Sequence, residues 1–251
     1  MEPTTYSLED IKKNPFLVTP DWKKWLYHLQ NEPFSTGWVK AADKPISKKY
    51  KDTRMVIYTK KIDNDPLKYV RTEMTLKGVE LEKYLAMMSN RDIRRQWDKN
   101  LMYDEIVLKL PNGNIGYRQM KMPAFMSNRD GLSKYLMFSN KKNPDLVEKC
   151  GLPKRNNKYY VICIEPIRLK EYPKRKDFER STMFMIMIAE ETDEPGVIKT
   201  SQLIHMDLGG WVPDWIMNSG AVKFQFKMMK NFLKHYSEFD KQSLLVLKDD
   251  L

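Results

Sequence analysis

Gly209-Gly210-Trp211-Val212-Pro213-Asp214-Trp215, running on into an amphipathic segment that ends near Tyr236, is the stretch on which the fold turns. Paired glycines permit a sharp change of direction, and Pro213 suits the first turn of a helix, where its missing N–H is no loss. From there Trp215, Ile216, Val222, Phe226, Met229 and Phe232/Leu233 recur at helical spacing and form a broad apolar stripe. The spacing predicts one long helix from Pro213 to about Tyr236. Its other face carries Lys223, Lys227, Lys230 and Lys234. A helix of this kind docks on a sheet as a lid with its charge in solvent, or lies on a membrane surface. The two are compatible if the lid faces a bilayer.

Working back from that helix, the chain reads mainly as strands. They are predicted over 55–58, 69–76, 106–110, 115–120, 132–138, 159–165, 182–188 and 197–204, with Asp63-Asn64-Asp65-Pro66 as a turn and Pro111-Asn112-Gly113-Asn114 as a hairpin. Leu81, Tyr84, Leu85 and Met88 share a helical face, Ser89 and Asn90 supply a cap, and a short helix follows over 92–98. Near the start, Ser7 with Asp10 reads as a capping box. A helix through Trp22, Trp25, Leu26 and Leu29 ends at Pro33. The basic stretches 141–157 and 172–177 read as loops. Antiparallel strands framed by helices make the class α+β, a curved sheet closed by the terminal helix.

Composition narrows the function. The 251 residues hold 44 Lys+Arg against 33 Asp+Glu, a net charge of +11, with 41% hydrophobic and 31% charged residues. That is a folded chain of one large domain or two small ones, neither disordered nor membrane-spanning. The longest apolar run, Met183 to Ala189, is far below the roughly 20 residues a span needs. The first twenty residues carry no signal pattern. A soluble chain, peripheral to membranes and cytoplasmic by default, is therefore expected, or a lumenal, vacuolar or secreted one if a signal has been removed. Two cysteines and three histidines are too scattered for a zinc site, so no metal and no cofactor are expected.

Catalytic signatures are missing. There is no Gly-x-Ser-x-Gly and no phosphate-cradling glycine loop. Glu190-Glu191 and Asp193-Glu194 lie in a turn before Pro195-Gly196, while His205 and Cys163 sit on strands and read as structural. The expectation is a protein that is not an enzyme. The basic excess points to an anionic partner, yet it is spread along the chain without a nucleic-acid motif, which favours a membrane surface over nucleic acid. The 17 Met, 6 Trp, 13 Tyr and 10 Phe suit an irregular core or an adaptable pocket wall.

Three motifs go further: Asp92-Ile93-Arg94-Arg95-Gln96-Trp97-Asp98, Pro123-Ala124-Phe125-Met126-Ser127-Asn128-Arg129-Asp130, and the Gly209 to Trp215 stretch. In this order and spacing the chain resembles the StAR-related lipid transfer (START) family, most of all its phosphatidylcholine-transfer branch, over roughly Trp38 to Tyr236. The resemblance implies a helix-grip fold, a curved antiparallel sheet wrapped around the C-terminal helix with one lipid in an internal cavity. Residues 38–251 would form that domain and residues 1–37 a helical segment packed on it. Carrying a lipid needs no chemistry. A two-chain lipid exposes about 30 methylenes at roughly 0.8 kcal/mol each, about 24 kcal/mol in water, and an apolar cavity removes that cost.

The resemblance also implies residue roles. Ile93 and Trp97 share the buried face of their helix, Arg94 lies at its margin and Arg95 beyond it. Arg94 matches the family's phosphate-binding arginine; the plain structural alternative is an exposed pair with Asp98. Trp97 is expected in the core. The branch closes aromatic rings around choline, but those positions fall here at Arg118, Gly131 and, loosely, Ala189. Tyr117, Tyr135 or Tyr160 would have to build another cage, together with Trp97 and Arg118, or the head-group range is broader than choline. Pro123 to Arg129 looks like the gating loop, with Phe125 and Met126 either exposed at its tip or packed against the terminal helix. Trp211 and Trp215 suit a membrane interface. Lys223, Lys227, Lys230 and Lys234 would add attraction to anionic lipid. The expected protein is a monomer that binds one phospholipid and touches membranes transiently. A sterol or ceramide carrier of the same fold, and a lipid sensor or basic adaptor without transfer activity, are the alternatives.

Overall fold

Unbroken apolar runs within strands, as in Met55-Val56-Ile57 and Met185-Ile186-Met187-Ile188, place apolar side chains on both faces and call for cover on each. The computed structural model, which describes residues 5–13, 26, 29, 35–62, 65–111, 113–152, 154–213, 215–216 and 220–239, has that arrangement. A short N-terminal strand β1 (Thr5–Tyr6) and helix α1 (Leu8–Lys13) precede β2 (Val39–Ser47), β3 (Tyr50–Ile62) and β4 (Asp65–Lys77). Two helices follow, α2 (Leu81–Ser89) and α3 (Arg91–Trp97). Next come β5 (Leu101–Leu110), β6 (Gly113–Met120), β7 (Asn128–Ser139), helix α4 (Pro144–Lys149), β8 (Tyr159–Pro166) and β9 (Arg168–Leu169). The chain closes with β10 (Phe178–Arg180), β11 (Thr182–Glu191), β12 (Val197–Asp207) and helix α5 (Ala221–Glu238).

The main sheet runs β2-β3-β4-β12-β11-β8-β7-β6-β5, antiparallel throughout, with β10 added in parallel beside β7. On its inner face Met55, Ile57, Met74, Leu76, Tyr160, Met187 and Ala189 pack against α2, α3 and the α5 residues Met229, Phe232 and Leu233. Phe232 sits at the centre, edge-on to Tyr84 at 5.3 Å and to Trp97 at 5.5 Å. On the outer face Phe138, Val161, Cys163, Ile186 and Leu203 are covered by Val147 of α4 and by Leu26 and Leu29. A third cluster joins Ile115, Tyr117 and Leu132 to Ile11 of α1.

Polar ties fix α5 to the sheet and to α2. Thr72 Oγ1 donates to Gln225 Oε1 at 2.6 Å in the buried interior, the Glu80 N–H donates to Tyr236 Oη at 2.8 Å, and Lys83 Nζ donates to the carbonyl of Phe239 at 2.7 Å. Regular α5 is described from Ala221. Trp215, Ile216 and Gly220 are already helical, and the Ile216 N–H reaches the Pro213 carbonyl at 2.9 Å. Of the predicted helix through Trp22 and Trp25 only Leu26 and Leu29 are among the described residues, and the Asp63-Asn64 turn and Asn112 lie outside them. The predicted loop over 141–157 contains α4, with Pro144 in its first turn.

Two cavities between the elements measure about 10 Å³ and 50 Å³, against roughly 300–1,000 Å³ for ligand pockets. Methionines 55, 74, 88, 228 and 229 line the smaller one. Neither cavity has the size of the lipid cavity expected from the resemblance. Unbranched thioether side chains pack around the smaller one.

Candidate functional site

A half-buried pair of arginines faces inward where α3 meets β6. Asn90 caps α3, its Oδ1 accepting from the N–H groups of Asp92 and Ile93 at 3.0 and 3.1 Å. That cap sets the helix so that Ile93 and Trp97 are buried and Arg94 turns in beside them. Arg94 Nε donates to Asp98 Oδ2 at 3.2 Å, and the two side chains are only 15% and 4% exposed. The pair that the plain structural reading placed in solvent thus forms in the interior. Asp98 also accepts from the Asn100 N–H at 3.2 Å.

Arg118 extends from β6 on the face shared with Tyr135. Its Nε and Nη2 donate to Asp104 Oδ2 at 3.2 and 2.8 Å. Asp104 is the one fully buried residue of β5, and its carbonyl accepts from Arg91 and Arg95 of α3 at 3.3 and 2.8 Å. The guanidinium of Arg94 lies 5.8 Å from the Trp97 ring centre and that of Arg118 5.4 Å from the Tyr135 ring centre. Burial and the like charge of Arg118 push the Arg94 pKa down, with Asp98 opposing. For Arg118 burial acts in the same direction but Tyr135, Asp104 and Asp98 outweigh it, so its pKa is raised. Both remain cations at neutral pH.

Donors exceed acceptors here. Arg94 donates only through Nε, and neither its two terminal nitrogens nor Nη1 of Arg118 has an acceptor among the described residues. A guanidinium carries five N–H groups in a fixed fork. The cluster can therefore bind an additional oxyanion without first breaking either ion pair.

The other sequence-predicted residues divide. Trp97 is 1% exposed and its Nε1–H donates to the Met87 carbonyl at 3.1 Å, so it is core on one side and backs Arg94 on the other. Tyr117 is not brought to the cluster. It lies on the opposite face of the sheet, where its hydroxyl donates to Asp130 Oδ2 at 3.0 Å and its ring meets Tyr172 at 5.4 Å. Tyr160 faces inward but sits near the other end of the sheet, opposite Ala189, with Lys158 Nζ over its ring at 5.5 Å.

The loop from Pro123 splits as well. The Met126 N–H closes a turn on the Pro123 carbonyl at 2.8 Å and Met126 is packed down at 8% exposure, whereas Phe125 is 55% exposed and touches the Trp215 ring at 6.1 Å. Trp211 and Trp215 are exposed at 70% and 58%. Lys223, Lys227, Lys230 and Lys234 are all exposed on α5, while Ile216, Val222 and Phe226 are half-buried and Met229 is buried.

Arg129 is not a gate-tip residue. At 2% exposure its guanidinium donates to the carbonyls of Leu208, Gly209 and Trp211 at 2.9, 3.0 and 3.3 Å, and to that of Ser127. It bolts the loop before β7 to the segment after β12. Gly209 completes the joint at φ 64°, where an added Cβ would stand 2.4 Å from the Arg180 carbonyl oxygen, so only glycine fits.

A sequence model of the START domain matches residues 29–242, most of the chain. The chain belongs to the START-domain family. Mouse START domain-containing protein 10 is 21% identical over 187 residues, covering 74% of this chain and 59% of that protein. Mouse phosphatidylcholine transfer protein is 21% identical over 154 residues, covering 61% of this chain and 65% of that one. The chain thus spans about three fifths of the length of these curated relatives. Among solved structures, human STARD10 superposes with a TM-score of 0.68 at 21% identity, covering 91% of this chain and 84% of that one. Human StAR-related lipid transfer protein 5 gives 0.68 at 15% identity, covering 87% and 94%. The helix-grip arrangement of sheet and terminal helix is the START fold. Among the described residues no helix is long and apolar enough to cross a membrane.

The START motifs pointed to Arg94 and, through the altered cage, to Arg118. They did not point to Asp104 or to the clamp role of Arg129. The one available signal for Asp104 was the acidic pair Asp104-Glu105 on a strand hairpinned to the strand of Arg118.

Proposed function

We propose that this START-domain chain takes one glycerophospholipid between its sheet and α5, holds the phosphate on Arg94, and moves the lipid between membranes without chemical change. The observation that carries the reading is the half-buried guanidinium cluster with more donors than acceptors, set against a methionine-lined interior. A sterol, with one hydroxyl, would leave most of those N–H groups unmet. Acyl chains enter by displacing methionine side chains, which adopt new rotamers at little cost, and by parting α5 from the sheet at the Thr72–Gln225 hydrogen bond.

Phe125, Trp211 and Trp215 form the exposed aromatic end that meets the bilayer, and the α5 lysines add attraction to anionic lipid. The N-terminal segment serves as cover for the outer face of the sheet, where Ile11, Leu26 and Leu29 are buried. The protein works as a soluble monomer that touches membranes in passing. Transfer between donor and acceptor liposomes, run with phosphatidylcholine, phosphatidylethanolamine, phosphatidylinositol, ceramide and cholesterol, tests this. Phospholipids are expected to move, and Arg94→Leu is expected to slow them by about tenfold or more, the equivalent of a charge-assisted hydrogen bond. Equal loss for ceramide would remove Arg94 as the phosphate partner, and no transfer of any lipid would leave a sensor or adaptor.

A further inference from the structure

We infer that Arg118 makes the head-group site selective for anionic glycerophospholipids, such as phosphatidylinositol or phosphatidic acid, over the zwitterionic choline lipid. The inference rests on the phospholipid-carrier reading and adds the head-group class to it.

Three observations carry it. First, the unmatched groups at the cluster are donors: the terminal nitrogens of Arg94 and Nη1 of Arg118. The two carboxylates, Asp98 and Asp104, are already engaged by those same arginines. One phosphodiester can take the terminal nitrogens of Arg94, and a head group with further oxygen acceptors can take the remaining Nη1 of Arg118. Secondly, a quaternary ammonium has no N–H and relies on open aromatic faces. The two rings at this cluster, Trp97 and Tyr135, each already lie under a guanidinium, at 5.8 and 5.4 Å. Choline would have to displace one cation while sitting beside the other. Thirdly, a 50 Å³ cavity at the seam of α3 and α5 is lined by Asp98, the partner of Arg94, together with Lys99, Asn100, Lys227 and Asn231. Its two lysines outnumber its one carboxylate, which Arg94 already neutralises, so the surroundings of the cluster favour an anion.

The test offers phosphatidylcholine, phosphatidylethanolamine, phosphatidylinositol and phosphatidic acid at equal mole fraction in the same vesicles, so that membrane docking is common to all four, and identifies the extracted lipid by mass spectrometry. The wild-type chain is expected to extract the two anionic lipids over phosphatidylcholine by about tenfold, which one charge-assisted hydrogen bond supplies. Arg118→Gln should bring that ratio close to one. Because this change leaves Asp104 buried without its partner, the double variant Arg118→Gln with Asp104→Asn keeps the test readable if the single variant does not fold, and the same fall in ratio is expected. Equal extraction of choline and anionic lipids by the wild type, or an unchanged ratio in both variants, overturns the inference and leaves the carrier reading standing. Extraction of no phospholipid overturns both. Glycerol 3-phosphate in solution is the remaining arm: if at millimolar concentration it blocks anionic-lipid extraction completely, the site takes a free phosphate and the lipid assignment falls.

Discussion

Replacing Arg129 by methionine keeps the length and apolar stem of the side chain and removes only the guanidinium, which makes it the sharpest test of how the two loops at the aromatic end are held. The group donates to four backbone carbonyls, three of them at 2.9, 3.0 and 3.3 Å, and no carboxylate shares it among the described salt bridges. Burial lowers its pKa, and Glu179 only partly opposes that. Each hydrogen bond from a charged donor is worth about 1.5–3 kcal/mol. The simple total overstates the loss, since the bonds share one donor group, the freed carbonyls regain water at the loop surface, and a buried charge is removed. We expect a loss of about 3–5 kcal/mol. Urea unfolding followed by tryptophan fluorescence, with a slope of about 3 kcal/mol/M, should show the midpoint falling by about 1–1.7 M. Arg129→Lys retains the charge but cannot span carbonyls from Ser127 to Trp211 with one ammonium, so it should lose more than half as much. A midpoint within about 0.3 M of wild type for Arg129→Met would refute the clamp.

Two further outcomes follow from the same physical terms. Glu165 faces Lys134 across β7 and β8, and burial pushes its carboxyl up from 4.5 to about 7, with Lys134 pulling the other way. The folded state then holds a proton that the unfolded chain releases, so this group's contribution is full below pH 4.5 and falls as pH rises toward 7, by about 3 kcal/mol at most. Denaturation midpoints measured from pH 5 to pH 8 should decline more steeply for wild type than for Glu165→Gln, and parallel slopes would dismiss the effect. At the aromatic end, Phe125→Ser with Trp215→Ser removes two exposed rings that touch each other. Co-sedimentation with phosphatidylserine-containing vesicles should weaken about tenfold or more, from roughly 1–2 kcal/mol of apolar burial per ring; unchanged partition would put membrane contact elsewhere.

Some of this molecule could be read directly and some could not, and the division follows range. Alternation named most strands, and the 3.6 period of Val222, Phe226, Met229 and Leu233 named the terminal helix, because both patterns are local. β2 is hard to read because Val39 to Ser47 shows no apolar alternation and contains Pro45; it is a strand because β3 offers it a hydrogen-bonding edge. α4 was hidden in a stretch whose basic composition resembles a loop.

Among the site residues, sequence by itself determined Arg94, since Ile93 and Trp97 fix which side of α3 is buried and the next position must lie at its edge. The family resemblance placed Arg118, Gly131 and, loosely, Ala189 at the positions of the rings expected around choline. The partner of Arg118 was decided only in the tertiary structure. Counting back from the β5–β6 hairpin, with Leu110 opposite Gly113, puts Glu105 across from Arg118, but a bulge between Ile106 and Leu108 shifts the register by one and brings Asp104 there instead. Tyr117 shows the same logic in reverse: one step along β6 from Arg118, it is on the other face of the sheet. Arg129 is the extreme case, because the carbonyls it holds at Leu208, Gly209 and Trp211 are some eighty residues away along the chain. A residue's own spacing states which face it can occupy; what waits for it on that face is set by strand pairing between distant segments, which no local pattern encodes.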